Sequence, residues 1–423
     1  MKQIAWLFAF LLVLPVIVQA QKPQKGQKQP QIAAGISAER LARIGPAMEV
    51  LIREGKFPGI SVTVVRHGQV AFQQEYGFAD IEKKEPLKKD AIYRVFSMTK
   101  PVTGVAVMIL FEEGRFLLDD PVSKYLPCFK SLLVFDSEGA TGMKLVKPKR
   151  EVTVRDLLRQ TSGLSYGSSG DPVGKLYQAK NLMDPDTTLE QMVEKTCSIP
   201  LYFHPGSRWE YGISIDILGR LVEVLSGQPL DVFMQKRIFD PLKMVDTGFF
   251  VPDEKLGRFT TCYSYTAEKG LSPLPPARGT DRYRRGANKL LSGGGGLVST
   301  VSDYLRFVTM LAQGGELDGV RILGPRTIRL MGTDHLPEGV TLPAWGGKNE
   351  GNGYGFTMSV TTDVAKTTGY GSVGDYGWDG AASTFFRIDP QEDVVVLVMT
   401  QRMPCDLEIQ VKAKALVYQA VGK

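Results

Sequence analysis

Phe96-Ser97-Met98-Thr99-Lys100-Pro101 stands immediately ahead of the apolar run Val102 to Phe111. That run is hydrophobic on every side, the pattern of a helix buried in a domain interior. Pro101 has no N–H to give the carbonyl four residues back, so it is best tolerated in a first helical turn, which predicts a helix start at or near Ser97. Glu112-Glu113-Gly114 supplies the stop. A spacing of three puts Ser97 and Lys100 on one helical face, ammonium beside hydroxyl. The free N–H groups and positive dipole end of the helix would point toward an oxyanion formed at Ser97. S-x-x-K alone is a weak pattern, since ordinary composition yields roughly one accidental match in a chain this long. The bland reading is a serine cap followed by a solvated lysine. It fits poorly, because a lysine that opens an all-apolar helix must be buried or lie at a cleft.

Working outward, Ser37 is placed to cap a helix carrying Leu41, Ile44, Met48, Leu51 and Ile52, with Pro46 as a kink and Gly59 as its end. Ile60 to Val65 and Val70 to Tyr76 read as strands joined at His67-Gly68, which makes His67 a turn residue. Tyr354 to Val360, Ala382 to Ile388 and Val394 to Thr400 read as strands, with a turn at Asp389-Pro390. Asp406 to Val421 reads as a helix with Leu407, Val411, Ala415 and Tyr418 along one stripe. Strands at both ends with helical pattern between them predict an α/β (α+β) chain: one sheet built from both termini, with a mainly helical lobe inserted. The sheet lobe is expected over about 36–115 and 290–423, the helical lobe over about 116–289, and a site in the cleft between them.

Residues 1–20 read as a secretory signal: Lys2, an apolar segment from Ile4 to Val18, and Val18-Gln19-Ala20 as the cleavage site. Gln21 follows, not a cysteine, so no lipid anchor is expected there; an uncleaved anchor is the alternative to cleavage. Residues 21–35 read as a flexible leader, rich in Gln, Lys, Pro and Gly over its first part. Export points to the periplasm or beyond. The net charge of +6 is mild for 423 residues, and no stretch interleaves basic and aromatic residues as nucleic-acid binders do. Arg282, Arg284 and Arg285 form the densest basic cluster and read as a solvated loop. Cys128, Cys197, Cys262 and Cys405 are far apart, without C-x-x-C; they allow 3 pairings, and buried free thiols are an equal alternative. His67, His204 and His335 are scattered too. No metal, cofactor, nucleic-acid partner or stable membrane insertion is expected; the partner is a small-molecule ester or amide.

Tyr211 follows Pro205-Gly206-Ser207-Arg208-Trp209-Glu210 and opens a helix with Ile213, Ile217, Leu218, Leu221 and Leu225 at helical spacing. Alone it is a packing residue. Beside Ser97 and Lys100 it gains another meaning: free Tyr and Lys titrate near about 10 and 10.4, and a buried Lys–Tyr pair can stabilise each other's ionised form, so that one acts as base.

Ser97-Met98-Thr99-Lys100, Leu118-Asp119-Asp120-Pro121-Val122, Leu157 to Leu164, Pro205-Gly206, Tyr211, Asp240 to Met244, Gly296 to Thr300 and Trp378-Asp379-Gly380 occur in that order. Together they resemble the class C β-lactamase-like serine hydrolases, most closely the family VIII carboxylesterases. The resemblance runs from about Ser37 to the C-terminal helix and implies the β-lactamase/penicillin-binding-protein-like fold. It implies Ser97 as nucleophile, Lys100 as activator and Tyr211 as general base, working through an acyl-enzyme. It also implies an oxyanion hole from the N–H groups of Ser97 and Ala381, and substrate contacts at Trp378, Gly380 and Ile213. Two departures separate the chain from β-lactamases and D-alanyl peptidases. Ile213 stands where their Tyr-x-Asn motif has asparagine, and Trp378 where Lys-Thr-Gly has lysine. Loss of polar recognition points to a permissive esterase for short acyl chains. β-Lactamase, D-alanyl carboxypeptidase or acyltransferase activity is the alternative, and a binding protein with a vestigial site is a third reading, opposed by the joint presence of Ser97, Lys100 and Tyr211.

Two patterns are decoys. Gly163-Leu164-Ser165-Tyr166-Gly167 matches G-x-S-x-G, but a nucleophile elbow needs a strand before the serine and a helix after it. Gly293 to Gly296 lacks the rest of a phosphate-binding loop and reads as a loop near the cleft.

Overall fold

Strands from the two ends of the chain lie side by side in one antiparallel sheet. A computed structural model describes residues 32–33, 35–139, 142–276, 281–343 and 350–422; the expected signal and most of the leader lie outside them. The sheet strands are β1 (Gly59–Arg66), β2 (Gln69–Asp80), β3 (Glu85–Pro86), β4 (Asn352–Tyr354), β5 (Ser359–Thr361), β6 (Tyr376–Asp379), β7 (Phe385–Asp389) and β8 (Val394–Thr400). They run in the order β4-β5-β6-β7-β8-β1-β2-β3. The seam between the two termini is the β1–β8 pair, registered Ile60 to Thr400 and Val64 to Val396.

Strand alternation divides the core into two layers. Ile60, Val62 and Val64 with Val394, Val396 and Val398 face one side, against helices α1 (Ala38–Leu41), α2 (Ile44–Arg53) and α7 (Leu407–Tyr418). Val65, Val395, Leu397 and Met399 face the other, toward α3 (Thr99–Glu112) and α6 (Val301–Ala312). Each such fully buried aliphatic side chain contributes about 1.5–3 kcal/mol by leaving water. The inserted stretch carries α4 (Val154–Leu158) and α5 (Ser214–Ser226), and its apolar residues join the same core as α3. Helix α3 is buried from Thr99 through Leu110, as its unbroken apolar run demands. Pro101 sits in its first turn and Gly114, at φ +69°, follows its end.

Several boundaries differ from the sequence reading. The first helix is two, broken at Ala42-Arg43, so Pro46 lies in the first turn of α2, where its missing N–H costs nothing. Gly55, at φ +66°, follows that helix, while Gly59 opens β1. Tyr354 to Val360 is not one strand: β4 and β5 pair with each other across a reversal in which Gly355 N donates to Met358 O and Thr357 takes φ +65°. β7 starts at Phe385, not Ala382, because a turn closed by Ser383 N to Gly380 O precedes it. In α7 the buried face is Ile409, Ala413 and Val417; the stripe expected through Leu407, Val411, Ala415 and Tyr418 is only half-buried. Ser37 caps α1 as expected, accepting from Arg40 N, and His67 occupies the β1–β2 turn, its Nδ1 2.8 Å from Asp393 Oδ2.

Of the open cysteine pairings the structure has one: Cys128 to Cys197 form a disulfide, and Cys262 and Cys405 are free.

Candidate active site

The turn Phe96–Met98 is a short 3₁₀ segment that leads directly into α3. Phe96 holds φ +44°, a left-handed conformation rare for a bulky residue and of the kind stored at functional sites. The next residue, Ser97, stands at the mouth of α3, where the helix offers N–H groups not used within it.

Two groups converge on Ser97 Oγ. Lys100 Nζ donates to its Oγ at 3.2 Å, and Tyr211 OH lies 2.6 Å from the same oxygen. Lys100 has no exposed surface at all; its remaining donors go to Tyr166 OH at 3.1 Å and to the carbonyl of Gly294 at 2.7 Å. Burial pulls the lysine pKa down, but the charges of Tyr166, Tyr211 and Asp216 outweigh it and hold the ammonium above its ordinary value. Burial pushes Tyr166 up, against the pull of Lys100.

Aromatic rings wall the site. Tyr211 stacks on Trp209 at 6.0 Å, meets Tyr166 edge-on at 5.5 Å, and lies 5.7 Å from Trp378. Tyr354 stands edge-on to both Trp209 and Trp378. Lys100 Nζ lies 4.5 Å from the Tyr211 ring centroid, a cation–π distance.

Trp378 lies on β6, which flanks the Ser97 turn, and Gly380 follows directly. A Cβ at Gly380 would stand 2.6 Å from the carbonyl of Val95, so the absence of a side chain is what lets the strand end approach the Ser97 turn. Ala381 comes next and is partly exposed. Ile213, expected as a substrate contact, is 1% exposed and packs in the main core rather than standing open to the cleft; the apolar wall is made by the aromatic rings.

Tyr166 and Gly294 escaped the sequence reading as partners of Lys100. Tyr166 sits in an irregular loop inside the G-x-S-x-G decoy, and the Gly294 contact is made by backbone, which leaves no residue-type signal. The decoy serine itself, Ser165, is buried and donates to Glu210 Oε1 at 3.1 Å. It has no strand before it. Among the described residues no group of His, Cys, Asp and Glu is arranged to hold a metal ion, and no helix is long and apolar enough to cross a membrane.

Ser97 Oγ thus accepts hydrogen bonds from the Tyr211 phenol and the Lys100 ammonium, beside the strand end at Gly380 where the resemblance expects an oxyanion. Known proteins resemble this chain over most of its length. The family described as Beta-lactamase matches residues 39–419. Protein Rv1367c of Mycobacterium tuberculosis is 35% identical over 367 residues, 84% of this chain and 88% of that protein. Esterase EstB of Burkholderia gladioli is 29% identical over 385 residues, 86% of this chain and 91% of its own. Among solved structures, that titled EstCE1, a hydrolase with promiscuous acyltransferase activity, superposes with a TM-score of 0.77 at 28% identity, covering 90% of this chain and 99% of that one. With a sheet built from both termini, a helical insert and a match from residue 39 to residue 419, this chain belongs to the beta-lactamase family.

Proposed function

We propose that the protein is an exported serine hydrolase that cleaves carboxylic esters of short acyl chains through an acyl-enzyme on Ser97. The observation that carries the reading is the 2.6 Å contact between Tyr211 OH and Ser97 Oγ, with Lys100 Nζ donating to the same oxygen. A lysine held as ammonium is no base, so Tyr211, whose oxygen lies 2.6 Å from Ser97 Oγ, takes the proton. Ser97 Oγ attacks the ester carbonyl; the backbone N–H groups of Ser97 and Ala381 receive the oxyanion; Tyr211 returns the proton to the departing alkoxide. Water then repeats the sequence on the acyl-serine.

Ester specificity is supported by the aromatic wall of Trp209, Tyr354 and Trp378, which offers apolar contact where a β-lactamase of the resembled class has polar recognition. Export rests on the signal-like residues 1–20. Acyl transfer to an alcohol other than water is a second reading, favoured by the likeness to EstCE1, a hydrolase with promiscuous acyltransferase activity. Steady-state hydrolysis of p-nitrophenyl acetate with and without added alcohol tests both. Turnover lost in Ser97→Ala supports the serine mechanism, and full activity in that variant would sink it. A new ester product in the presence of alcohol supports transfer.

A further inference from the structure

The residues after Tyr211 include a carboxylate that the mechanism above leaves unused. Asp216, in the first turn of α5, has no exposed surface. Its Oδ1 accepts from Ser292 Oγ at 2.5 Å and from Gly294 N at 3.0 Å. The same Gly294 gives its carbonyl to Lys100 Nζ at 2.7 Å. One peptide segment therefore links a buried carboxylate to a buried ammonium. Oδ2 has no hydrogen-bond partner among the described residues, and a Cβ on Gly294 would lie 2.5 Å from it, so only a glycine lets the carboxylate sit so close.

Both neighbours of Oδ1 donate to it, as they would to a carboxylate. Burial is the largest influence and raises the Asp216 carboxyl above its ordinary value, against the pull of the Lys100 ammonium, Ser292 and the Gly294 N–H. The titratable groups facing Lys100 are Tyr166, Tyr211 and Asp216, with the Tyr354 phenol beyond the two tyrosines. Asp216 is the one carboxylate of that set.

We infer that Asp216 is a positioning residue which, through the Gly294 segment, sets the pH at which the Lys100–Tyr211 pair gives up its first proton. The inference rests on the reading of Ser97 as nucleophile. The sign follows from charge. With both groups protonated the pair is positive, and after one proton leaves it is neutral. An adjacent anion favours the positive state and raises the pH at which the active form appears; its removal does the opposite.

The test is the pH profile of kcat/KM for p-nitrophenyl acetate in wild type, Asp216→Asn and Ser292→Ala. Asp216→Asn is expected to move the acid limb down by about one to three pH units, the usual effect of one close charge, with KM changed by no more than about twofold because the residue does not reach the cleft. Ser292→Ala, which weakens support for the carboxylate, is expected to shift the limb the same way by less, and it keeps the proposal testable if Asp216→Asn does not fold. A uniform fall in rate with the limb in its wild-type place would mean a merely structural role and overturn the inference, as would a raised KM without a shift. Failure of the nucleophile reading shows separately, as turnover that survives Ser97→Ala.

Discussion

Ser97 is an ordinary alcohol until its surroundings are counted, and the decisive neighbour is Tyr211 rather than Lys100. The lysine hydroxyl contact is longer, 3.2 Å against 2.6 Å, and the ammonium is held charged. Tyr211→Phe, which keeps the ring and its stacking on Trp209, is therefore expected to lower kcat by about 10²- to 10⁴-fold, the usual worth of a general base. KM and the far-ultraviolet circular dichroism spectrum should stay near wild type. A kcat within a few per cent of wild type would transfer the base role elsewhere. Ser97 and Lys100 were legible from spacing and a proline alone. Tyr211 needed the ordered set of motifs, because a tyrosine opening a buried helix is as much a packing residue as a base. Tyr166 carried no signal: its loop has no period to mark which ring turns inward.

Two elements each depend on one small feature. The end of β6 approaches the nucleophile turn because Gly380 has no Cβ. Adding one would bring it within 2.6 Å of Val95 O and 2.1 Å of Thr384 Oγ1. Gly380→Ala should displace the Ala381 N–H and cost about 10²- to 10³-fold in kcat, the effect of losing one oxyanion donor, while binding of a non-reactive ester analogue changes little. Calorimetry and kinetics together would check this. Helix α4 is anchored by Asp156, which caps it with Thr153 and pairs with Arg150 and with Arg159 at 3.0 Å. Burial alone would raise this carboxyl; the hydrogen bonds from Arg150 and Thr153 and the guanidinium charge reverse that and hold it below its ordinary value. A carboxyl depressed in the folded state stabilises the fold above the unfolded pKa of about 3.9, and the contribution is lost as pH falls through the lower folded value. Asp156→Asn should cost about 3 kcal/mol at neutral pH, since Arg159 is left without its counter-charge, and should flatten the acid loss of stability in urea titrations. Unchanged stability across the range would contradict the assignment. Long strands and the α3 run were readable because periodicity is robust over many residues. The β4–β5 reversal was not, since an unbroken apolar stretch looks like one strand when a single Thr357 at positive φ turns it back. The inward face of α7 was misread because both faces of that helix carry aliphatic residues.

The molecule as a whole is closed by contacts distant in sequence. β1 and β8 join the two ends, and the Cys128–Cys197 disulfide closes a sequence separation of 69 within the insert. On the chain-entropy account a loop of that length is worth about 4 kcal/mol. The paired variant Cys128→Ala/Cys197→Ala should lose roughly that much in urea titration while retaining its pairing at Ser97 and most of its activity; equal stability would show that the bond constrains nothing. That the sheet is built from both termini was legible from the strand patterns at either end. Which cysteines pair was not, because pairing is decided by the three-dimensional meeting of the turn at Pro127–Ser131 with the end of the helix Leu189–Thr196.

Acylation of Ser97 is a covalent step that mass spectrometry of the digested protein detects directly. The purified protein is mixed briefly with a short-chain p-nitrophenyl ester, quenched in acid and digested. A mass increase of one acyl group is expected on the peptide containing Ser97, absent from Ser97→Ala. Acylation at another residue, or steady turnover in Ser97→Ala, would contradict it.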